Sequence, residues 1–435
     1  MRALAVASLL VAACHGSSGT TKRTGSAAAV EIVNQPMLPD AGGGHGGPKI
    51  DEIEPNDGDE VATPLALGGT ARGKVEPETD VDHFRIDVDK PGNLSVSLSA
   101  VDADLVLEVE DATGTVIAKS DRGAVRVREG VPNLGVTPGR YTAVVRLAPA
   151  KKKPGKPVKQ KRPPPVEPAK PAPTYELTAQ LVPPPANSEH EPDDDRGTAN
   201  DLIIGDTVTG YVGWNDDKDV WKLSTEALSA KNAIDVEVSA VEGVALELAI
   251  GDHLGQPLLE RKGPRGAPLV IRGLVPMVPT GAPPFHYITV RGDKSNPETA
   301  YQLHVSEHVV PTDAEIEPDD TPEKPFLIPA DRTIVHATFT PGDVDCFALA
   351  PTNTARMIEV SIDTPNEVDL SADLLIDGKV ATSSEHKGKG VAEKLVAQIV
   401  AGTRVIVRVR GADPSATGEG AYDIAIQESG VDNAP

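Results

Sequence analysis

Glu52-Ile53-Glu54-Pro55-Asn56-Asp57 recurs as Glu189-His190-Glu191-Pro192-Asp193-Asp194 and again as Glu315-Ile316-Glu317-Pro318-Asp319-Asp320. Each copy is followed by an Asp-x-Asp-x-aromatic motif: Asp80-Val81-Asp82-His83-Phe84, Asp217-Lys218-Asp219-Val220-Trp221 and Asp343-Val344-Asp345-Cys346-Phe347. From the glutamate before proline to the first aspartate of the second motif is 26 residues in every copy (80 − 54, 217 − 191 and 343 − 317). Chance does not hold one spacing three times. A fixed internal period marks one structural unit copied in tandem.

The ends of the copies agree as well. Val145-Arg146, Val290-Arg291 and Val409-Arg410 each lie in a strand-like run, and a later strand opens with Tyr175, Tyr301 or Tyr422. Between these landmarks stand alternating runs such as Leu94-Ser95-Val96-Ser97-Leu98, Ile234 to Val238 and Ile358 to Ile362. A period of two marks strands with one buried and one wet face. Helical periodicity is weak throughout. Units of roughly 110 residues with many short strands and turns predict an all-β chain of three tandem β-sandwiches.

Composition agrees. Forty glycines and forty prolines, with 3 % aromatic residues, suit short strands joined by many turns. A net charge of −23 disfavours nucleic acid as a partner, because phosphates call for a basic face. It suits divalent cations held by carboxylates. The two cysteines, Cys14 and Cys346, leave no internal disulfide if the first is modified.

The N-terminus carries a basic Arg2, an apolar run from Ala3 to Ala13, and small residues before Cys14. That order describes a secretory signal, too short to cross a bilayer as a helix of roughly 20 apolar residues. Val11-Ala12-Ala13-Cys14 resembles the lipobox of bacterial lipoproteins. The resemblance implies removal of residues 1–13, lipidation of Cys14 and a membrane partner through that anchor. Residues 14–50 read as a disordered, flexible tether. His15, next to the lipidated cysteine, is not the aspartate that holds lipoproteins on the inner membrane of enteric bacteria, so the resemblance points to the outer membrane or the cell surface.

Taken from end to end, each copy resembles the bacterial pre-peptidase C-terminal domain: the Glu-Pro-Asn/Asp-Asp opening, the Asp-x-Asp-x-aromatic, the late Val-Arg and the closing tyrosine strand. The resemblance implies a jelly-roll-like sandwich of the kind appended to secreted proteases and collagenases. It covers residues 51–182, 188–308 and 314–429, the first with a Lys/Pro-rich insertion at 149–173. The catalytic partner of such enzymes has no counterpart here. No His-Glu-x-x-His, Gly-x-Ser-x-Gly or phosphate-binding glycine loop occurs in the sequence.

The related collagen-binding domains of clostridial collagenases bind calcium through a Glu-x-Glu-x-Asn-Asp stretch and downstream aspartates. Carried over residue by residue, the implied ligands are Glu52, Glu54, Asn56, Asp57 and Asp80 in the first copy. In the second they are Glu189, Glu191, Asp193, Asp194 and Asp217, and in the third Glu315, Glu317, Asp319, Asp320 and Asp343. Copies two and three depart from the pattern with Asp in place of Asn. Calcium, which takes six to eight oxygen ligands, would relieve the mutual repulsion of so many acids. A second reading stays open: the motif is a solvated turn whose aspartates bond backbone amides. The second aspartates, Asp82, Asp219 and Asp345, are assigned first to such turn bonding and only then to an ion.

Three features stand outside the repeat. Between Arg146 and Tyr175 lie 28 residues, against 9 and 11 at the same place in the other copies. The added stretch reads either as a basic arm for an anionic surface or as a solvated loop. Trp214 precedes the second Asp-x-Asp and is a possible contact for a sugar or peptide ligand. Cys346 reads as a half-buried strand thiol, with no activating base nearby. The expected function is that of a non-enzymatic, monomeric envelope or surface lipoprotein, whose tandem modules bind an extracellular protein or polysaccharide. The alternative is a structural spacer of the envelope with no ligand of its own.

Overall fold

The computed structural model describes residues 47–430 apart from 150–171, 230, 414 and 416. Cys14, the expected signal segment, most of the tether and the body of the Lys/Pro-rich insertion therefore lie outside the described residues. Every regular element within them is a β-strand.

The strands form six sheets that fall in three face-to-face pairs. In the first pair, one sheet orders Lys49–Asp51, Thr70–Gly73, Tyr175–Val182, Gly92–Leu98 and Glu129–Val136. Its partner orders Thr63–Pro64, Val81–Val88, Gly139–Leu147, Leu105–Glu110 and Val116–Ser120. The second pair repeats this arrangement, with Thr207–Gly210, Tyr301–Val309, Asn232–Val238 and Leu269–Leu274 in one sheet. The other holds Asn200–Ile203, Lys218–Ser224, Phe285–Gly292, Leu246–Gly251 and Pro257–Lys262. In the third pair the corresponding sheets run from Ile334–Phe339 to Glu393–Ile399 and from Phe326–Leu327 to Lys379–Ser384.

Alternation explains the burial. In Val81–Val88 the residues Asp82, Phe84, Ile86 and Val88 face inward and the others are more exposed, as the two-residue period requires. Each pair of sheets closes on its own apolar cluster, led by Phe84 and Leu107, by Trp221 and Leu248, or by Phe347 and Leu374. One expectation fails: Gly92–Leu98 is buried on both faces, Ser95 and Ser97 included. It lies between the strands Tyr175–Val182 and Glu129–Val136, and its serines are short, where the matching strand Asn232–Val238 carries the longer Asp235 and Glu237, half-buried.

The connectivity positions the acid motifs. The closing tyrosine strand returns to the middle of its sheet and pairs antiparallel with an early strand, Tyr175 opposite Gly73, Tyr301 opposite Gly210 and Tyr422 opposite Ala337. That early strand follows the Glu-Pro segment. Last strand and first motif, more than a hundred residues apart, thus meet at one end of each sandwich.

Candidate functional site

Three acid clusters result, one per sandwich. Carboxylate oxygens of Glu52, Glu54 and Asp82 lie within 4.8 Å of one another in the first, and those of Glu189, Glu191 and Asp219 in the second. In the third, two such groups share Glu317: one with Asp319 and Asp345, the other with Asp320 and Asp343. The Glu–Pro bond is cis in all three copies.

The second aspartate of Asp-x-Asp was assigned first to a turn, yet the structure turns Asp82, Asp219 and Asp345 inward into these clusters, fully buried. Alternation carried the signal: Asp80, Asp82 and Phe84 are two residues apart and share one face of the strand. Tyr175 donates its hydroxyl to Asp82 at 2.5 Å, and Tyr422 does the same for Asp345. In the second sandwich tryptophan replaces phenylalanine, and the Trp221 indole N–H donates to the Tyr301 hydroxyl at 3.1 Å. Asp57 and Asp194, by contrast, sit on the exposed rim, and Asp320 is half-buried.

The first cluster is the most open. Glu54 is exposed and Glu52 half-buried, with Glu52 accepting the Lys74 N–H at 3.0 Å. Desolvation pushes the Glu52 carboxyl up to about 7, and that of Asp82 to about 8. Asp80 accepts the Glu76 N–H at 2.8 Å. Asn56 is completely buried, and its Oδ1, like Asp82 Oδ1, has no hydrogen-bond partner.

The second cluster is enclosed. Glu189, Glu191, Asp193, Asp217 and Asp219 are all buried, none more than 5 % exposed. Some of their oxygens accept backbone N–H groups, from Tyr211 to Glu189, from Asp193 to Glu191 and from Gly213 to Asp217. Others have no partner, Glu191 Oε1, Asp193 Oδ1 and Asp217 Oδ1 among them. Burial and the crowd of like charges raise the affinity of Glu189, Glu191, Asp217 and Asp219 for protons far above the usual carboxylate range. Among the described residues no lysine or arginine forms an ion pair with these acids.

The lid over this cluster comes from the first sandwich. Asn133 donates its side-chain amide to Glu189 at 2.5 Å. Gly135 lies so close to the Glu191 carbonyl that a Cβ there would stand 1.9 Å from the oxygen. Asn215 completes the junction, donating its N–H to the Lys119 carbonyl at 2.8 Å and accepting the Asp121 N–H at 2.7 Å. Trp214, expected as a possible ligand contact, is 5 % exposed and packed into the core of the first sandwich. Its ring is an apolar plug between two modules. Ligand stacking is closed to it there. Cys346 also departs from expectation: it is fully buried, and desolvation pushes its thiol up to about 12.

In the third cluster a cation is already present. The Arg261 side chain, from the edge strand Pro257–Lys262 of the second sandwich, is 1 % exposed and bonds Glu317, Asp320 and Asp343. Its guanidinium reaches Asp320 and Asp343 at 2.5 Å each.

No family model matches the chain, and no curated protein does. Among solved structures it is similar to the pre-peptidase C-terminal domain of a collagenase from Bacillus anthracis, at 16 % identity and TM-score 0.21, covering 29 % of this chain and all of that one. It is also similar to a putative secreted protein from Eubacterium rectale, at 13 % identity and TM-score 0.20, covering 59 % of this chain and 81 % of that one. The tandem CBM22-1 and CBM22-2 domain of Xyn10C from Paenibacillus barcinonensis shares 10 % identity at TM-score 0.15, over 48 % of this chain and 82 % of its own.

Proposed function

We propose that the chain is a non-catalytic, calcium-stabilised envelope or surface protein whose tandem sandwiches bind an extracellular protein or polymer. One observation carries the calcium reading. Five carboxylates are buried together in the second sandwich, and oxygens of Glu191, Asp193 and Asp217 among them have neither a donor nor a counter-charge. Buried anions are stable only when neutralised, paired or coordinated to metal. An all-oxygen donor set at flexible geometry suits calcium better than the softer transition metals. Glu189, Glu191, Asp193, Asp217 and Asp219 would hold the ion in the second sandwich, and Glu52, Glu54, Asn56, Asp80 and Asp82 in the first. Bound there, calcium would neutralise the cluster and tie the opening segment to the closing strand.

Calorimetric titration of the chelator-stripped chain with calcium tests this. Heat of binding together with a higher melting temperature is expected; no heat and no shift would sink it. Polymer binding rests on the modular architecture, since three weak contacts on one chain gain by multivalency. A pull-down from envelope extract, collagen and glycans addresses that half. The packed junction at Trp214 and Gly135 favours a second reading, a spacer of fixed length, which absence of any captured ligand would support.

A further inference from the structure

The three sandwiches share one register, so equivalent positions can be matched through the strands they pair with. Leu107 lies opposite Ser120 and Val145, Leu248 opposite Arg261 and Val290, and Ala372 opposite Ser384 and Val409. Ser120, Arg261 and Ser384 therefore occupy the same place in their sandwiches. In the first and third, the serine donates to a buried glutamate of its own sandwich, Ser120 to Glu129 at 2.6 Å and Ser384 to Glu393. Glu129 lies opposite Leu98, and Glu393 opposite Ile362; the residue opposite Val238 in the second sandwich is Leu269. There the internal Ser–Glu pair is replaced by Arg–Leu. Leucine leaves the arginine no acid at home, and its guanidinium extends into the next sandwich.

We infer that Arg261 is the built-in cation of the third acid cluster, so that this copy takes no calcium and the three acid clusters together hold two ions at most. The inference rests on the calcium reading for the first two copies. Glu317 is the acid common to both groupings of the third cluster, and its Oε1 is committed to Arg261. Its other oxygen accepts the Asp319 N–H at 2.9 Å. Asp343 is saturated too, taking Thr340 through N–H and Oγ1 at 3.1 and 3.0 Å besides the guanidinium. A divalent ion on the remaining acids, Glu315, Asp319 and Asp345, would share Glu317 with a buried guanidinium and be repelled by it. A guanidinium also brings a planar fork of donors that a carboxylate set satisfies without water.

The two junctions consequently differ in kind. Between the first and second sandwiches a neutral amide, Asn133, faces the cluster, and the negative charge is left for an ion. Between the second and third, the neighbouring sandwich supplies the positive charge itself. Chelation should loosen the first junction and leave the second closed.

The test counts calcium ions per chain by equilibrium dialysis and atomic emission, on the purified chain and on Arg261→Met. Two ions for the natural chain and three for the variant are expected. Three ions in the natural chain, or no additional ion in a folded variant, would overturn the inference. If neither protein retains calcium, the calcium reading fails by itself, and melting in EGTA decides the role of Arg261. R261M should then melt lower than the natural chain, and R261M/D343N, with one buried charge fewer, should recover part of the loss. No recovery would overturn the assignment even where R261M alone does not fold.

Discussion

Gly135→Ala probes the junction between the first two sandwiches through the backbone alone. The added Cβ would stand 1.9 Å from the Glu191 carbonyl oxygen, whereas non-bonded heavy atoms settle at about 3.5 Å. The contact is backbone against backbone, so no side chain can swing away. The sandwiches must part by roughly 1.5 Å, the difference between those two distances. The Asn133–Glu189 bond, 2.5 Å long, would stretch beyond hydrogen-bonding range. A hydrogen bond to a neutral carboxyl contributes about 0.5–1.5 kcal/mol, which is about a two- to ten-fold change in an opening equilibrium. Hydrogen exchange reads this directly, because the Asn215 and Asp121 amides are bonded across the junction. Their protection should fall by that factor in the full chain, while amides within the strand Leu105–Glu110 keep theirs. Unchanged protection at Asn215 and Asp121 would refute the packed junction and, with it, the enclosure of the second acid cluster.

Three further outcomes follow from the same geometry. Glu129 is buried against Ser120, and desolvation pushes its carboxyl up to about 7. The folded state thus holds its proton more tightly than the unfolded chain. Its contribution to stability is whole below about 4.5 and lost as pH climbs through 7; melting curves of E129Q should lack that decline. Asp373 is the opposite case: burial raises its pKa, but hydrogen bonds from Ser383, Arg408 and Arg410 outweigh this and hold it below the usual value. Its stabilisation is present above the unfolded value and lost as pH falls through the depressed one, so D373N should be destabilised at pH 7 and converge on the natural chain in acid. Tyr422→Phe removes the hydrogen bond to fully buried Asp345, at about 1.5–3 kcal/mol; denaturant unfolding resolves such a change, and a loss below 0.5 kcal/mol would contradict the pairing.

Asp82, Asp219 and Asp345 were legible as cluster members, because each shares a strand face with a core aromatic residue two positions on. A linear reading of the motif does not show that, nor that Asp57 and Asp194 lie on the exposed rim. Trp214 misled for another reason. A tryptophan in a loop carries no local pattern saying which surface it meets, and here the surface belongs to the preceding sandwich.

The sequence by itself determined the repeat, the strand periodicity and the presence of a crowded acid motif in every copy, since all three depend on spacing along one segment. Only the tertiary structure decided which charges those acids meet. Arg261 is separated from Asp343 by 82 residues, and nothing local in the sequence distinguishes it from a solvent-facing strand arginine. Its partner is chosen by how one sandwich docks on the next, and by a leucine standing where the other two copies keep a glutamate.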